Sequence, residues 1–412
     1  MTFPRIAIIG AGPAGCMLGR ILAISDIPVT IYESDASPDY SSQGGSLHLY
    51  PKTGLAALKD AGLWDEFMKV ARSDSDYYLL LDKNLKPFFQ MGPSNKTNNG
   101  RPEIDRAQLR RLLAESLPEG TIKWGHRLQR VEDGGRLVFE HTTEVGFDLI
   151  VGCEGGWSKV RSYIAPAVQP RYAGIGYHQL SIPNARHTAP DLCQIVNHGT
   201  FFASANGQRL SIQHMDNGSL HVGWTTVRPE TWTQTCGYNP HNLEQVKKAI
   251  LDDTRDWCPQ LREAIHKAKG TCQPKNLYML PIGWRWEHRR GVTIIGDAAH
   301  LMSPFGGEGV DVAFDDARKL ATAITRAVHK GGGPDDLDKQ VLEFEKEMFP
   351  RMEVYQQRTD EITRLWLFTE GDLTTIIPKV VVAHFMKLAV PSILVPLASG
   401  LMHSWWFMKG RF

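Results

Sequence analysis

No two cysteines in this chain form a CxxC pair, and no Cys/His spacing suits zinc; the six thiols stand apart at 16, 153, 193, 236, 258 and 272. That excludes dithiol redox chemistry and a zinc module, and a metal site is not expected. The thiols read as buried or incidental in a reducing compartment, so the expected location is cytoplasmic. Charge of one sign is equally wanting. With Lys and Arg totalling 46 and Asp and Glu 45, no strong net field draws in nucleic acid or an anionic membrane, and a small-molecule partner is expected. The apolar run Ile6-Ala7-Ile8-Ile9 stops at a glycine, too short for a secretory h-region. Near the C-terminus residues 376–408 are mostly apolar, but Lys379, Lys387, Pro391 and Pro396 interrupt the window of about twenty residues that a membrane span needs. Helices buried in the fold or against a second copy are favoured there over membrane or partner contact. Internal repeats, low-complexity tracts, a Ser/His/Asp set and paired carboxylates are not found either.

The chain has 412 residues, beyond the size at which one hydrophobic core keeps growing, so two packed domains are expected. Residues 5–9, 15–24 and 29–33 read as strand, helix and strand, the start of a parallel sheet. Residues 50–71 carry Leu55, Leu58, Leu63, Phe67 and Val70 at near-helical spacing, a helix broken at Gly62. Leu109, Leu112, Leu113 and Leu117 mark another helix, with Asp105 placed to cap it. Residues 147–151 and 292–295 read as buried strands. From about 165 to 285 the pattern changes to short strands, 177–182, 200–203, 210–213 and 220–224, with Asn217-Gly218 as a hairpin signal. A mostly antiparallel sheet inserted into a dinucleotide-binding fold is the simplest solution, and such a sheet is expected to wall a substrate pocket over the cofactor.

Two constellations carry chemistry. The first is Gly10-Ala11-Gly12-Pro13-Ala14-Gly15, between a strand and a helix, with Glu33 ending the next strand. Gly10 permits the tight turn, Gly12 the approach of a pyrophosphate, and Gly15 close helix–strand packing. The helix N-terminus offers N–H groups and partial positive charge to phosphates, and Glu33, followed by Ser34, can accept from the adenosine ribose. The second lies some 280 residues on: Gly296-Asp297-Ala298-Ala299-His300, then Pro304 and Gly306-Gly307-Glu308-Gly309 before a helix near Val310. Asp297 can hold a ribityl hydroxyl, and the helix start can offset charge on the pyrimidine edge of a reduced flavin. One long cofactor must touch both places, and FAD is long enough.

These residues, with 147–161, resemble the aromatic-hydroxylase class of flavin monooxygenases over about residues 4–350. Within it, Gly44-Gly45-Ser46-Leu47, Pro102-Glu103-Ile104-Asp105-Arg106 and Gly155-Gly156-Trp157-Ser158-Lys159-Val160-Arg161 are similar to the tetracycline-inactivating branch. The resemblance implies an α/β fold of the para-hydroxybenzoate-hydroxylase type: a Rossmann-like FAD-binding domain over 1–72, 100–165 and 286–345, an inserted, mostly antiparallel substrate domain over 73–99 and 166–285, and C-terminal helices over 346–412. It also implies that Arg106 and Asp297 contact FAD; Gly45, Pro304, Gly307, Gly309 and Val310 are further candidate cofactor-binding residues. NAD(P)H, NADPH favoured, would reduce the flavin, and oxygen added at its C4a atom would pass one atom to an aromatic, polycyclic or polyketide-like molecule.

Three positions depart from that pattern. Glu154-Gly155 stands where the class has Asp-Gly, His48 where the branch has an aspartate near the flavin, and the segment 200–202 brings no arginine to hold a substrate. Gln179, His221, Gly223 and Phe305 are candidate substrate contacts, equally readable as ordinary sheet or turn residues. Phe201, Phe202, Met215 and Trp224 read as pocket lining or, more commonly, core. His300 reads as a structural histidine holding its turn, and Glu308 as a flavin neighbour or a surface carboxylate. Gly283-Trp284-Arg285-Trp286 leaves a flavin halogenase or oxidase as an alternative, and the apolar C-terminus a flavin-carrying partner protein with weak turnover.

Overall fold

The computed structural model describes residues 3–37, 44–73, 75, 77–92, 102–369, 376, 379 and 380. Most of the apolar stretch 376–408 therefore lies outside the described residues; among those described, no helix is long and apolar enough to cross a membrane.

The chain divides into two compact units. The first comprises Met1–Arg72, Gly100–Arg171 and Tyr278–Gln356. At its centre is a parallel sheet in the order Val292–Ile294, Leu149–Gly152, Ile6–Ile9, Val29–Tyr32, Ile122–Lys123. The middle strands are uninterrupted apolar runs because helices cover both faces of such a sheet, and Ile6–Ile9 is buried throughout. The helices Pro13–Ile24 and Gly309–His329 pack against each other. The helix expected over 50–71 is two, Gly54–Asp60 and Trp64–Val70, parted at Gly62, whose φ of +63° belongs to glycine. Asp105 does occupy the N-cap of Arg106–Glu115, but its side chain does not cap; it is drawn to Arg72 instead, at 3.1 Å.

Segments 166–171, 278–285 and 346–356, expected in the inserted sheet or in separate C-terminal helices, fall in this first unit. For 346–356 and the residues around 283 the reason is the continuous helix Pro334–Leu367, onto which 283–288 docks: Gly283 donates its N–H to Gln356 at 2.9 Å, Trp286 its indole N–H to Glu345 at 3.1 Å, and Arg285 pairs with Glu353 at 3.2 Å. The tryptophan-rich segment is thus used in packing.

The second unit, Ser73–Asn99, Tyr172–Leu277 and Gln357–Phe412, is built on a seven-stranded sheet. Its order is Gln273–Met279, Arg171–Ile182, Leu220–Val227, Gln208–His214, Thr200–Ala205, Tyr78–Asp82, Pro87–Met91. It is mostly antiparallel; Thr200–Ala205 and Tyr78–Asp82 run parallel. One face carries Leu180, Val222, Trp224, Leu210 and Phe201 into a core with the helices Pro190–Val196, Leu243–Asp253 and Pro259–Lys267. Trp224 and Phe201 are therefore core residues, each burial of that kind contributing about 1.5–3 kcal/mol. The hairpin signal holds: Gly218, at φ +75°, donates to Met215.

Candidate cofactor site

The fingerprint turn shows why its glycines are glycines. At Gly10 φ is +99°, and a Cβ there would lie 2.8 Å from the Cys153 carbonyl oxygen; at Gly15 a Cβ would lie 2.0 Å from the carbonyl oxygen of Gly10. A Cβ at Gly12 would meet no described atom within 4 Å. The first two glycines are required by the protein itself, whereas the third leaves space outside it. Behind that space the helix Pro13–Ile24 begins with no side-chain cap among the described residues and no acidic residue in its first turn. Pro13 has no N–H to lose, so the amides of Ala14 and Gly15 and the helix dipole are presented to an anion.

Glu33 is buried at the end of its strand. One carboxylate oxygen accepts the Ala11 N–H at 2.6 Å; the other accepts the Asp35 N–H at 2.8 Å and the Ser34 hydroxyl at 3.0 Å. These bonds fix the carboxylate beside the turn and leave lone pairs for further donors. Asp35 in turn is held by Arg110 at 2.7 Å, so this arginine, one turn after Arg106, is taken up in structure.

The second turn lies against the first. Gly296 has φ +61°, and a Cβ there would crowd the Cβ atoms of both Ala14 and Ala313 at 3.3 Å. Asp297 opens the short helix Asp297–His300. It is exposed, yet desolvation by the atoms crowded round it raises its carboxyl from the ordinary aspartate value, His300 and Arg106 acting in the other direction. Past Pro304–Gly306, Gly307 has φ +68°, and a Cβ at Gly307 or Gly309 would meet no described atom within 4 Å. The helix Gly309–His329 likewise starts without a side-chain cap among the described residues, with Asp311 in its first turn. Glu308, one reading of which was a surface carboxylate, is buried, while Pro304 is exposed and Phe305 and Val310 are half-buried.

A two-stranded ribbon brings in the third piece. Ser46–His48 pairs with Glu103–Asp105, His48 opposite Glu103, so that the Arg106 N–H reaches the carbonyl of Gly45 at 3.1 Å. The buried Glu103 is satisfied by the Ser46 hydroxyl and by Arg72 at 3.0 Å, with His48 at 3.6 Å.

Several anchors were not singled out from the sequence. Asp311 accepts from Tyr50 N–H at 2.8 Å and from the Thr53 hydroxyl and Gly54 N–H at 3.0 Å each, latching that turn to the helix start. Arg161, buried, bonds the carbonyls of Ala298 at 3.0 Å and Gly156 at 2.5 Å, tying the loop after Glu154 to the Gly-Asp turn. Asp316 holds Gly296 N–H at 3.1 Å and His300 Nε2 at 2.5 Å; His300 is a structural histidine. Charged residues on an otherwise apolar helix face, as at 311 and 316, were the available signal.

In the second unit Gln179 stands opposite Gly223, and Ser181 opposite His221, so Gln179, His221 and Gly223 share the face away from the core. Gln179 accepts from Lys275 at 2.8 Å, and Tyr177 OH meets His221 Nε2 at 3.0 Å. The Tyr177 ring crosses Gly223, where a Cβ would stand 2.7 Å from its hydroxyl. An arginine does reach Phe202, from the neighbouring strand: Arg209 lies 4.0 Å from its ring centroid and 4.6 Å from that of Trp366. Burial lowers the Arg209 pKa to about 10 against the opposing effect of Tyr78.

Comparison with known proteins identifies the family. The family model described as FAD binding domain matches residues 4–345. "Monooxygenase penA" of Penicillium thymicola is 30% identical over 400 residues, 84% of this chain and 91% of that protein. The 6-hydroxynicotinate 3-monooxygenase of Pseudomonas fluorescens is 26% identical, covering 78% and 82%. The crystal structure of tetracycline destructase Tet(51) superposes with a TM-score of 0.67 at 16% identity, over 97% of this chain and 99% of that one, a likeness of fold. The chain belongs to this FAD-binding-domain family and is an FAD-dependent monooxygenase.

Proposed function

We propose that the enzyme uses NAD(P)H, NADPH favoured, and molecular oxygen to insert one oxygen atom into an aromatic, polycyclic or polyketide-like small molecule. The observation that carries the reading is the set Gly12, Gly307 and Gly309: three glycines at or beside two helix N-termini that no described side chain caps, each with no described atom within 4 Å of where a Cβ would be. Such a cradle suits an extended, anionic cofactor. In this reading the Ala14 and Gly15 amides hold the pyrophosphate, Glu33 and Ser34 the adenosine ribose, Asp297 a ribityl hydroxyl, and Arg106 with the start of Gly309–His329 the flavin end. FAD, when bound, supplies the hydride acceptor and the oxygen-activating carbon. The protein's own work is to bind and orient it, which is why no nucleophile or paired carboxylate is needed.

The substrate class rests on the kind of molecule named for relatives such as the 6-hydroxynicotinate enzyme. Gln179 and His221, on the non-core face of the seven-stranded sheet, are assigned to substrate contact; Phe305, on the turn Pro304–Gly306, is a separate candidate. Gly223 has the Tyr177 ring across it and would act through that ring. A panel of hydroxypyridines, phenols and polyketide-like compounds, assayed for stimulated NAD(P)H oxidation and then for product mass, tests the proposal. A product heavier by one oxygen supports it, and NAD(P)H oxidation that no compound stimulates counts against it.

A further inference from the structure

The segment bearing Asp297 is gripped at both ends by one carboxylate. Asp316 accepts from the Gly296 N–H at 3.1 Å, just before Asp297, and from His300 at 2.5 Å, at the far end of the same short helix. Its third partner is Arg351, whose Nη2 donates to the other oxygen at 3.0 Å. Burial by itself would raise the Asp316 carboxyl; His300, Arg351 and the Gly296 amide outweigh it and leave it below the ordinary value. A buried carboxylate with three donors is a rigid fixed point.

Arg351 comes from the helix Pro334–Leu367 and lies beyond residues 4–345, which the family model covers. It also contacts Asp315 at 3.1 Å and Glu347 at 3.0 Å. Arg351 and His300 both donate to Asp316, and His300 and Arg106 both favour the charged form of Asp297. Removing Arg351 would leave a buried carboxylate short of charge and free to draw His300 and the Gly296 amide out of place.

We propose that Arg351 is a positioning residue for FAD binding: by orienting Asp316 it sets the backbone from Gly296 to His300, and through it Asp297. The inference rests on the reading that Asp297 holds FAD.

The test is the dissociation constant of FAD from the full-length holoprotein, followed by flavin fluorescence on dilution, beside the melting temperature of the flavin-stripped chain. Arg351→Met should weaken FAD by about tenfold, the loss of one charged hydrogen bond, and should alter the visible circular dichroism of the bound flavin. Arg351→Lys should recover most of the affinity. Lys319→Met removes a cation from Asp315 and Glu347, at 3.3 and 2.7 Å, without touching Asp316; it should stay within about twofold of wild type, as partly exposed pairs do. Wild-type affinity in Arg351→Met, or equal weakening in Lys319→Met, overturns the proposal. Should Arg351→Met not fold, Arg351→Gln replaces it, with an expected weakening of about threefold and unchanged affinity again decisive. Unchanged affinity in Asp297→Ala would remove the premise instead, and is read independently.

Discussion

Gly296 and Ala14 meet so closely that a Cβ on the glycine would stand 3.3 Å from the alanine's own. Two turns some 280 residues apart in sequence are thereby packed into one site, and each presents a helix N-terminus to open space. The cofactor reading depends on this contact more than on either motif alone.

The glycines of the first turn divide by role, and substitution separates them. Gly15→Ala meets the Gly10 carbonyl at 2.0 Å and should destabilise the flavin-free protein by about 1–3 kcal/mol. Gly12→Ala meets no described atom within 4 Å and keeps an allowed backbone at φ −75°. It should leave the flavin-free melting temperature unchanged while weakening FAD by about tenfold, because the pyrophosphate needs that space. A fall in stability without loss of affinity in Gly12→Ala would contradict the assignment.

Asp297→Ala should lower FAD affinity by about 1–3 kcal/mol, the cost of leaving a ribityl hydroxyl without its partner. Glu33→Ala should also weaken FAD, and it releases the Ala11 and Asp35 amides and the Ser34 hydroxyl as well. It should therefore reduce the stability of the flavin-free chain, which Asp297→Ala should not. Equilibrium titration with FAD and melting of the stripped protein check both.

His178, 1% exposed beneath Trp232 and Tyr238, has its pKa lowered to about 4, by burial first and then by Arg228 and His241. The folded state binds this proton less readily than the unfolded chain, whose histidine titrates near 6.5. The contribution is thus complete above about pH 6.5 and is lost as pH falls toward 4, amounting to about 2 kcal/mol between pH 7 and 5. Urea midpoints of the wild type should fall more steeply over that interval than those of His178→Leu. Parallel slopes would show that His178 is not buried as a neutral ring.

The parallel sheet and both cofactor turns were legible because their chemistry is local: Gly10–Gly15 and Gly296–Gly309 need particular residues at fixed spacing. Less legible was whatever depends on partners far along the chain. Asp105 has the right type and place for a cap, yet Arg72 takes it. Residues 280–285 look like more inserted sheet, but Gly283 and the adjoining Trp286 are claimed by the long helix through Gln356 and Glu345. The ring contact of Arg209 with Phe202 was not legible either, because Arg209 lies on the adjacent strand, opposite Ser204. Asp311 and Asp316 look like solvated charges until the turns that they hold fold onto them.

The most direct measurement of the central claim uses purified protein, NADPH and oxygen gas enriched in the heavy isotope, with the compounds that stimulate NADPH oxidation in the panel. The account predicts that flavin co-purifies and that the product carries one labelled oxygen atom. Flavin-free protein that FAD cannot activate, or turnover yielding only hydrogen peroxide and unaltered compound with every member of the panel, would contradict it.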